Sequence, residues 1–196
     1  IGAPNAGKST LLNRLVGQKV AIVTHKVQTT RNRITGIVLS GEAQLVFIDT
    51  PGIFAPKRRL DRAMVSAAWE GAGEADQVVL LVDAASGVTD EVQAILDALK
   101  DSERRVVLAL NKVDRIKREK LLALAQRIFD TGVVTDVFMI SALTGDGVDD
   151  LKAHLAHHAP AGVWHYPEDQ VTDVTMRLLA AEITREKIYL RLHQEL

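Results

Sequence analysis

The chain has 196 residues, 47% hydrophobic and 25% charged, which allows one ordinary core of about 150 residues and a smaller second unit. Its formal net charge of −1 excludes a global basic field for nucleic acid, so any such contact has to be local. The absence of cysteine excludes disulfides and thiolate metal sites and suits a reducing compartment, and no apolar stretch approaches the roughly 20 residues of a membrane span.

Residues 1–10 fit the pattern G-x-x-x-x-G-K-[ST], which wraps the phosphates of a nucleotide. Gly2 and Gly7 let backbone N–H groups turn inward at a helix N-terminus, where the helix dipole favours anions. Lys8 adds a positive charge for the β- and γ-phosphates, and the Ser9 hydroxyl can coordinate Mg²⁺. The other loop residues assigned to the nucleotide are Asn5, Ala6 and Thr10.

Helices and strands are predicted to alternate after this loop. Helices are expected over residues 10–16, 57–75, 90–99, 117–129 and 148–158, and strands over 34–39, 44–48, 78–83, 105–110 and 137–140. The alternation predicts an α/β fold with a doubly wound, mostly parallel sheet, which binds ligands beyond the carboxyl ends of its strands. Only Ile1 precedes the loop and there is no initiator Met, so we expect a chain cut at its N-terminus that lacks most of the first strand.

The sequence Asp49-Thr50-Pro51-Gly52 follows the strand predicted at 44–48. An aspartate at a strand end can reach Mg²⁺ directly or through water, and the N–H of Gly52 can contact the γ-phosphate. A surface turn is the alternative for these four residues alone. Their position after an apolar strand, downstream of a phosphate loop, favours the functional interpretation.

The sequence Asn111-Lys112-Val113-Asp114 indicates which base is bound. The Asp114 carboxylate can accept hydrogen bonds from N1–H and N2–H₂ of guanine. Each such bond contributes roughly 1.5–3 kcal/mol, and adenine has no equivalent pair of donors at that edge. Lys112 is expected along the base plane, with Asn111 bracing the loops. One backbone N–H from Ser141, Ala142 or Leu143 is expected at the guanine O6. Together the four motifs predict a GTP-binding domain.

These motifs resemble those of the Era-type GTPases, translation-factor-related P-loop GTPases with a C-terminal KH domain. Residues 27–34 resemble the family's switch I segment, and residues 167–169 and 181–187 resemble its linker and first KH helix. The resemblance implies a GTPase domain over 1–159, a linker over 160–170 and the start of a KH-type RNA-binding domain over 171–196. It also implies that Thr29 or Thr30 ligates Mg²⁺ with Ser9 and Asp49; we favour Thr30, and place it with Lys8 and Gly52 in the catalytic machinery.

The resemblance further implies a GTP/GDP switch that uses Mg²⁺ and assists assembly of the small, 30S-type ribosomal subunit by binding its RNA near the 3′ end. A KH domain grips RNA with a GxxG loop, and residues 171–196 contain none, so we expect truncation at the C-terminus as well, and poor RNA binding by this chain. The implied location is the cytoplasm, with peripheral contact to the inner membrane as an open alternative.

Hydrolysis is expected to be slow, because Ile53 occupies the position at which many GTPases place a water-orienting glutamine. Asn5 has two open interpretations: it holds K⁺ beside the phosphates, as in GTPases with a hydrophobic residue after D-x-x-G, or it only stabilises the turn.

Two other function classes also stay open. One is a related GTPase that regulates tRNA modification or acts at a membrane, and the other is a nucleotide-binding module without useful turnover.

Overall fold

The computed structural model describes residues 1–24, 34–56 and 58–191. The helices are α1 (Lys8–Val16), α2 (Arg59–Glu74), α3 (Asp90–Asp101), α4 (Arg118–Phe129), α5 (Val148–His157) and α6 (Met176–Arg191), with a short 3₁₀ helix over Val113–Arg115. The strands are β1 (Ile34–Ser40), β2 (Ala43–Asp49), β3 (Val79–Asp83), β4 (Val106–Asn111) and β5 (Val134–Met139). The α/β prediction is confirmed.

Strands β3, β4 and β5 form a parallel sheet in that order, and β1 and β2 form an antiparallel hairpin. Ile1 lies beside β3, since its nitrogen donates to the carbonyl of Val79 at 2.8 Å and its carbonyl accepts from Leu81 at 2.9 Å. The residue before the phosphate loop therefore forms strand-like hydrogen bonds with the parallel sheet.

Alternate side chains of the parallel strands enter two separate apolar clusters, one on each face. One face packs β-strand residues such as Leu108 and Leu110 against α2, α3 and α4, and the other packs residues such as Ala109 against α1 and α5. Both faces of β4 are buried, which explains why its sequence is continuously apolar. The doubly wound arrangement follows, with loops gathered at the carboxyl ends of the strands.

The predicted start of one strand was wrong by three residues. Strand β5 begins at Val134 and not at 137, because Thr135 and Asp136 are exposed and interrupt the apolar pattern by which a strand is recognised. Trp164, in the segment after α5, is 43% exposed and donates its indole N–H to the carbonyl of Glu42 at 2.9 Å.

The segment after α5 runs along the β1–β2 hairpin. The Gln44 side chain accepts from the N–H groups of His165 and Tyr166 at 2.8 and 3.0 Å, and Thr172 donates to the carbonyl of Thr35 at 2.6 Å. The carbonyl of Val171 accepts from Ile37 at 2.8 Å. These bonds fix the path of the chain into α6.

Helix α6 meets the rest of the molecule through a charged residue. Glu186 is 3% exposed, and its carboxylate accepts from the N–H of Val23 at 3.0 Å and from the Lys19 ammonium. The apolar side chains of this helix stay largely open, since Leu178 and Ile188 are more than a third exposed. In the part of the chain that is described, none of the helices has the length and apolar character to cross a membrane.

Candidate guanine nucleotide site

A cleft of about 280 Å³ opens at the carboxyl ends of the parallel strands. Most of the residues that the sequence motifs single out line this one cleft: Asn5, Gly7, Lys8, Ser9, Thr10, Gly52, Asn111, Lys112, Asp114, Ser141, Ala142 and Leu143. Three other motif residues are buried and do not line the cleft, namely Gly2, Ala6 and Asp49. Thr29 and Thr30 fall outside the described residues. The structure thus brings together the parts that the sequence places far apart.

The phosphate loop needs glycine at both of its motif positions. Gly2 and Gly7 have φ values of +151° and +103°, which side-chain-bearing residues rarely adopt. A Cβ atom on Gly2 would lie 2.4 Å from the carbonyl oxygen of Leu81, and one on Gly7 would lie 2.3 Å from Nδ2 of Asn111. The loop therefore packs too closely against β3 and β4 to accept a side chain.

The Lys8 ammonium lies across this loop. It donates to the carbonyls of Gly2 and Ala3 at 3.2 and 3.0 Å. Burial lowers the pKa of Lys8, while the nearby charge of Asp49 acts in the opposite direction. A phosphate anion in the cleft would offset this burial, so the position favours an anionic ligand.

Ser9 and Asp49 form a hydrogen-bonded pair at the end of β2. The Ser9 hydroxyl donates to Oδ2 of Asp49 at 2.6 Å, and Asp49 is 4% exposed. A hydroxyl and a carboxylate side by side are the oxygen donors that Mg²⁺ prefers. Gly52 lies against the phosphate loop, since a Cβ atom on Gly52 would come within 2.9 Å of Cα of Pro4.

Asn111 joins the phosphate loop to the loop after β5. Its Nδ2 donates to the carbonyl of Ala6 at 2.8 Å, and its Oδ1 accepts from the N–H of Ala142 at 2.9 Å. The side chain is 2% exposed, so both of its polar groups are satisfied inside the protein. The bracing contact expected from the sequence is present.

Lys112 joins the phosphate loop to the end of β3. Its ammonium donates to the carbonyl of Asn5 at 2.8 Å and to Oδ2 of Asp83 at 2.7 Å. Burial raises the pKa of Asp83, but the hydrogen bonds from Lys112 and from the N–H of Ala85 outweigh it and hold that pKa below its ordinary value. Asp83 was not identified from the sequence, although it is the last residue of an apolar strand.

The base-recognition residues border the open part of the cleft. Asp114 is exposed in the 3₁₀ helix, with its carboxylate accessible to a ligand. The N–H of Ala142 is taken by Asn111, and that of Ser141 donates to the carbonyl of Asp146 at 2.9 Å. Within residues 1–24, 34–56 and 58–191 the N–H of Leu143 meets no acceptor, which makes it the available donor of this loop.

Besides Asp83, sequence reasoning missed five residues at this site. Pro4, Val23, Thr24 and Arg115 also line the cleft. Arg14 of α1 donates to the carbonyls of Ala142, at 3.3 Å, and Leu143. Arg14 and Leu143 are 129 residues apart in the chain, and no local pattern signals a contact of that kind.

Comparison with known proteins gives consistent results. The family described as 50S ribosome-binding GTPase matches residues 1–112. The GTPase Era of Caulobacter vibrioides is 58% identical over 100% of this chain and 66% of its own length, and that of Mesorhizobium japonicum is 61% identical over 100% and 63%. The chain thus spans about two thirds of the length of these curated relatives.

Solved structures agree with these relatives. A crystal structure of Era in complex with MgGDPNP and nucleotides 1506–1542 of 16S ribosomal RNA has a TM-score of 0.93 at 38% identity, covering 99% of this chain and 66% of that one. A variant of Aquifex aeolicus Era bound to GDP·AlF₄⁻ has a TM-score of 0.92 at 39% identity, with the same coverage. By sequence and by fold, this chain belongs to the Era family of GTPases.

Proposed function

We propose that this protein binds GTP and GDP with Mg²⁺ and hydrolyses GTP slowly, as a molecular switch. The observation that carries the proposal is the position of Asn111, which joins the phosphate loop to the loop at Ala142 and so places Lys8 and Asp114 around one cleft. A triphosphate at Lys8 and a base at Asp114 are the two ends of one ligand.

The phosphate end is proposed to bind the loop amides and Lys8, with Ser9, Asp49 and Thr30 holding the metal ion. When bound, Mg²⁺ neutralises charge on the phosphate oxygens. The pair formed by Ser9 and Asp49 fits this ion, since both side chains offer oxygen donors within one hydrogen-bond distance of each other. Gly2 and Gly7 leave the backbone open to the phosphates.

Slow hydrolysis follows from Ile53. Its side chain is 6% exposed and packs in the core on the α2–α4 face of the sheet, while its N–H donates to the carbonyl of Gly2 at 3.0 Å. A buried apolar side chain cannot orient the attacking water, so we expect intrinsic rates on the order of 10⁻⁴ to 10⁻² s⁻¹. Positioning and charge neutralisation by Lys8 and the loop amides remain to lower the barrier.

Guanine preference provides the test of this function. By calorimetry with Mg²⁺, we expect GDP to bind at least roughly a hundredfold more tightly than ADP, because two hydrogen bonds to the Asp114 carboxylate are lost with adenine. Asp114→Ala should remove most of this preference. Asp101→Ala deletes a carboxylate from the exposed end of α3 and should retain the preference for GDP over ADP. Equal affinity of the unaltered chain for ADP and GDP would overturn the assignment.

Asn5 provides a prediction about K⁺. Asn5 has a backbone φ of +59° and lines the cleft together with Lys8. We propose that its side chain helps to hold a monovalent cation next to the phosphates. We expect GTP turnover to be about tenfold faster in KCl than in NaCl, equivalent to about 1.4 kcal/mol of transition-state stabilisation. The Asn5→Gly variant should show equal turnover in KCl and NaCl and should still bind GDP, because glycine tolerates the same φ. Equal turnover of the unaltered chain in the two salts would mean that Asn5 only stabilises the turn.

The ribosomal role rests on the relatives. The Era crystal structure contains 16S ribosomal RNA, and its similarity to this chain supports a role in small-subunit assembly, with residues 160–170 as the linker and 171–196 as the start of an RNA-binding KH domain. Residues 171–196 are only the start of the proposed KH domain, so the role is tested with the protein that carries a complete KH domain, by its co-sedimentation with small ribosomal subunits in a GTP analogue and in GDP. Nucleotide-independent sedimentation, or none, would contradict a switch acting on that particle.

A further inference from the structure

Arg14 lies across the outer side of the loop formed by residues 141–145. Its Nε donates to the carbonyl of Ala142 at 3.3 Å, and its Nη2 donates to the carbonyl of Leu143. Gly145 leaves room for the guanidinium, since a Cβ atom there would lie 3.7 Å from Nη1 of Arg14. One planar side chain thus holds two successive carbonyl groups of the loop.

Holding the Ala142 carbonyl also orients an N–H group. The carbonyl of Ala142 and the N–H of Leu143 belong to the same trans peptide unit, in which they point in opposite directions. With the carbonyl directed toward α1, the N–H of Leu143 is directed away from α1, and Leu143 itself lines the cleft. This is the loop N–H that meets no acceptor among the described parts of the chain.

The other side of the same loop is already fixed. The N–H of Ala142 donates to Asn111, so this loop is held from β4 on one side and from α1 on the other. Helix α1 also begins at Lys8 and carries Ser9, so the residue that holds the base loop is part of the helix that follows the phosphate loop.

We propose that Arg14 is a positioning residue for base recognition: it sets the peptide between Ala142 and Leu143 so that the Leu143 N–H donates to the O6 of guanine. This inference rests on the proposed function, namely that the cleft binds a guanine nucleotide. Among the described residues, the hydrogen bonds of Arg14 run to carbonyls of this loop, and Arg14 does not line the cleft, so it acts on the ligand through the loop.

The test pairs a protein change with a ligand change. Dissociation constants are measured for GDP and for the diphosphate of 6-thioguanosine, which keeps the N1–H and the 2-amino group of guanine but carries sulfur, a much weaker hydrogen-bond acceptor, in place of O6. In Arg14→Ala the dissociation constant for GDP should rise roughly tenfold, the upper range for one lost hydrogen bond, while that for the analogue should stay within about twofold. Arg14→Lys, which can still donate to a carbonyl, should recover part of the GDP affinity.

Arg127→Ala is the matched control, because it removes an exposed arginine from α4 and should change neither constant. Equal weakening of GDP and the analogue by Arg14→Ala would overturn the proposal, since it would mean that Arg14 only maintains the fold. If the unaltered chain does not distinguish GDP from the analogue but still prefers GDP over ADP, the contact to O6 is absent and only the role of Arg14 fails. If it does not prefer GDP over ADP, the proposed function fails as well.

Discussion

Lys8→Ala should weaken the binding of GTP by roughly 10²- to 10⁴-fold, because two charge-assisted hydrogen bonds to phosphate of about 1.5–3 kcal/mol each are lost. Phosphate release under single-turnover conditions should fall below detection, since this ammonium neutralises charge that develops in the transition state. Calorimetry and a phosphate-release assay measure the two effects. Lys100→Ala, at the exposed end of α3, removes a similar charge and should behave as the unaltered chain.

The same substitution should leave the nucleotide-free protein as stable as before, or more stable. Burial lowers the pKa of Lys8, which means that the folded environment disfavours its charge when no anion is present. Thermal unfolding should therefore show an unchanged or higher Tm without nucleotide and a reduced rise in Tm when GDP is added. A large drop in Tm without nucleotide, together with normal GDP binding, would mean that Lys8 is a structural residue.

Asn111→Ala should reduce the free energy of unfolding by about 2–6 kcal/mol, because it leaves two buried backbone groups without partners at roughly 1–3 kcal/mol each. Those groups are the carbonyl of Ala6 and the N–H of Ala142. Guanine nucleotide affinity should fall as well, since the two loops around the cleft lose the side chain that joins them. Denaturant unfolding of the nucleotide-free chain, followed by GDP titration, measures both effects.

Gln126→Ala is the control for this second prediction. It also deletes a side-chain amide, but Gln126 is exposed on α4, and its Nε2 donates to the equally exposed Asp130 carboxylate at 2.7 Å. Its effect should stay within about 0.5 kcal/mol, as is usual for surface changes. If Asn111→Ala cost no more than this control, the two hydrogen bonds would contribute nothing net to the fold.

The sequence predicted the fold and most of the cleft for one physical reason. In a parallel sheet, residues that end apolar strands meet at one edge, so Asn111 at the end of β4 and the loop after β5 could be placed together without coordinates. What could not be predicted was the side-chain bonding that joins distant loops. Asp83 and Arg14 reach their partners only through the tertiary fold, and the exposed residues that open β5 carry no apolar signal.

Glu186 connects helix α6 to the segment that includes Lys19 and Val23, next to the nucleotide cleft. Its carboxylate holds Lys19 and the backbone of Val23, and Val23 and Thr24 form part of the wall against which a ligand would rest. Free energy coupled through such a contact is necessarily reciprocal. A partner that binds α6 and changes this contact so as to alter nucleotide affinity will have its own affinity altered by nucleotide by the same factor.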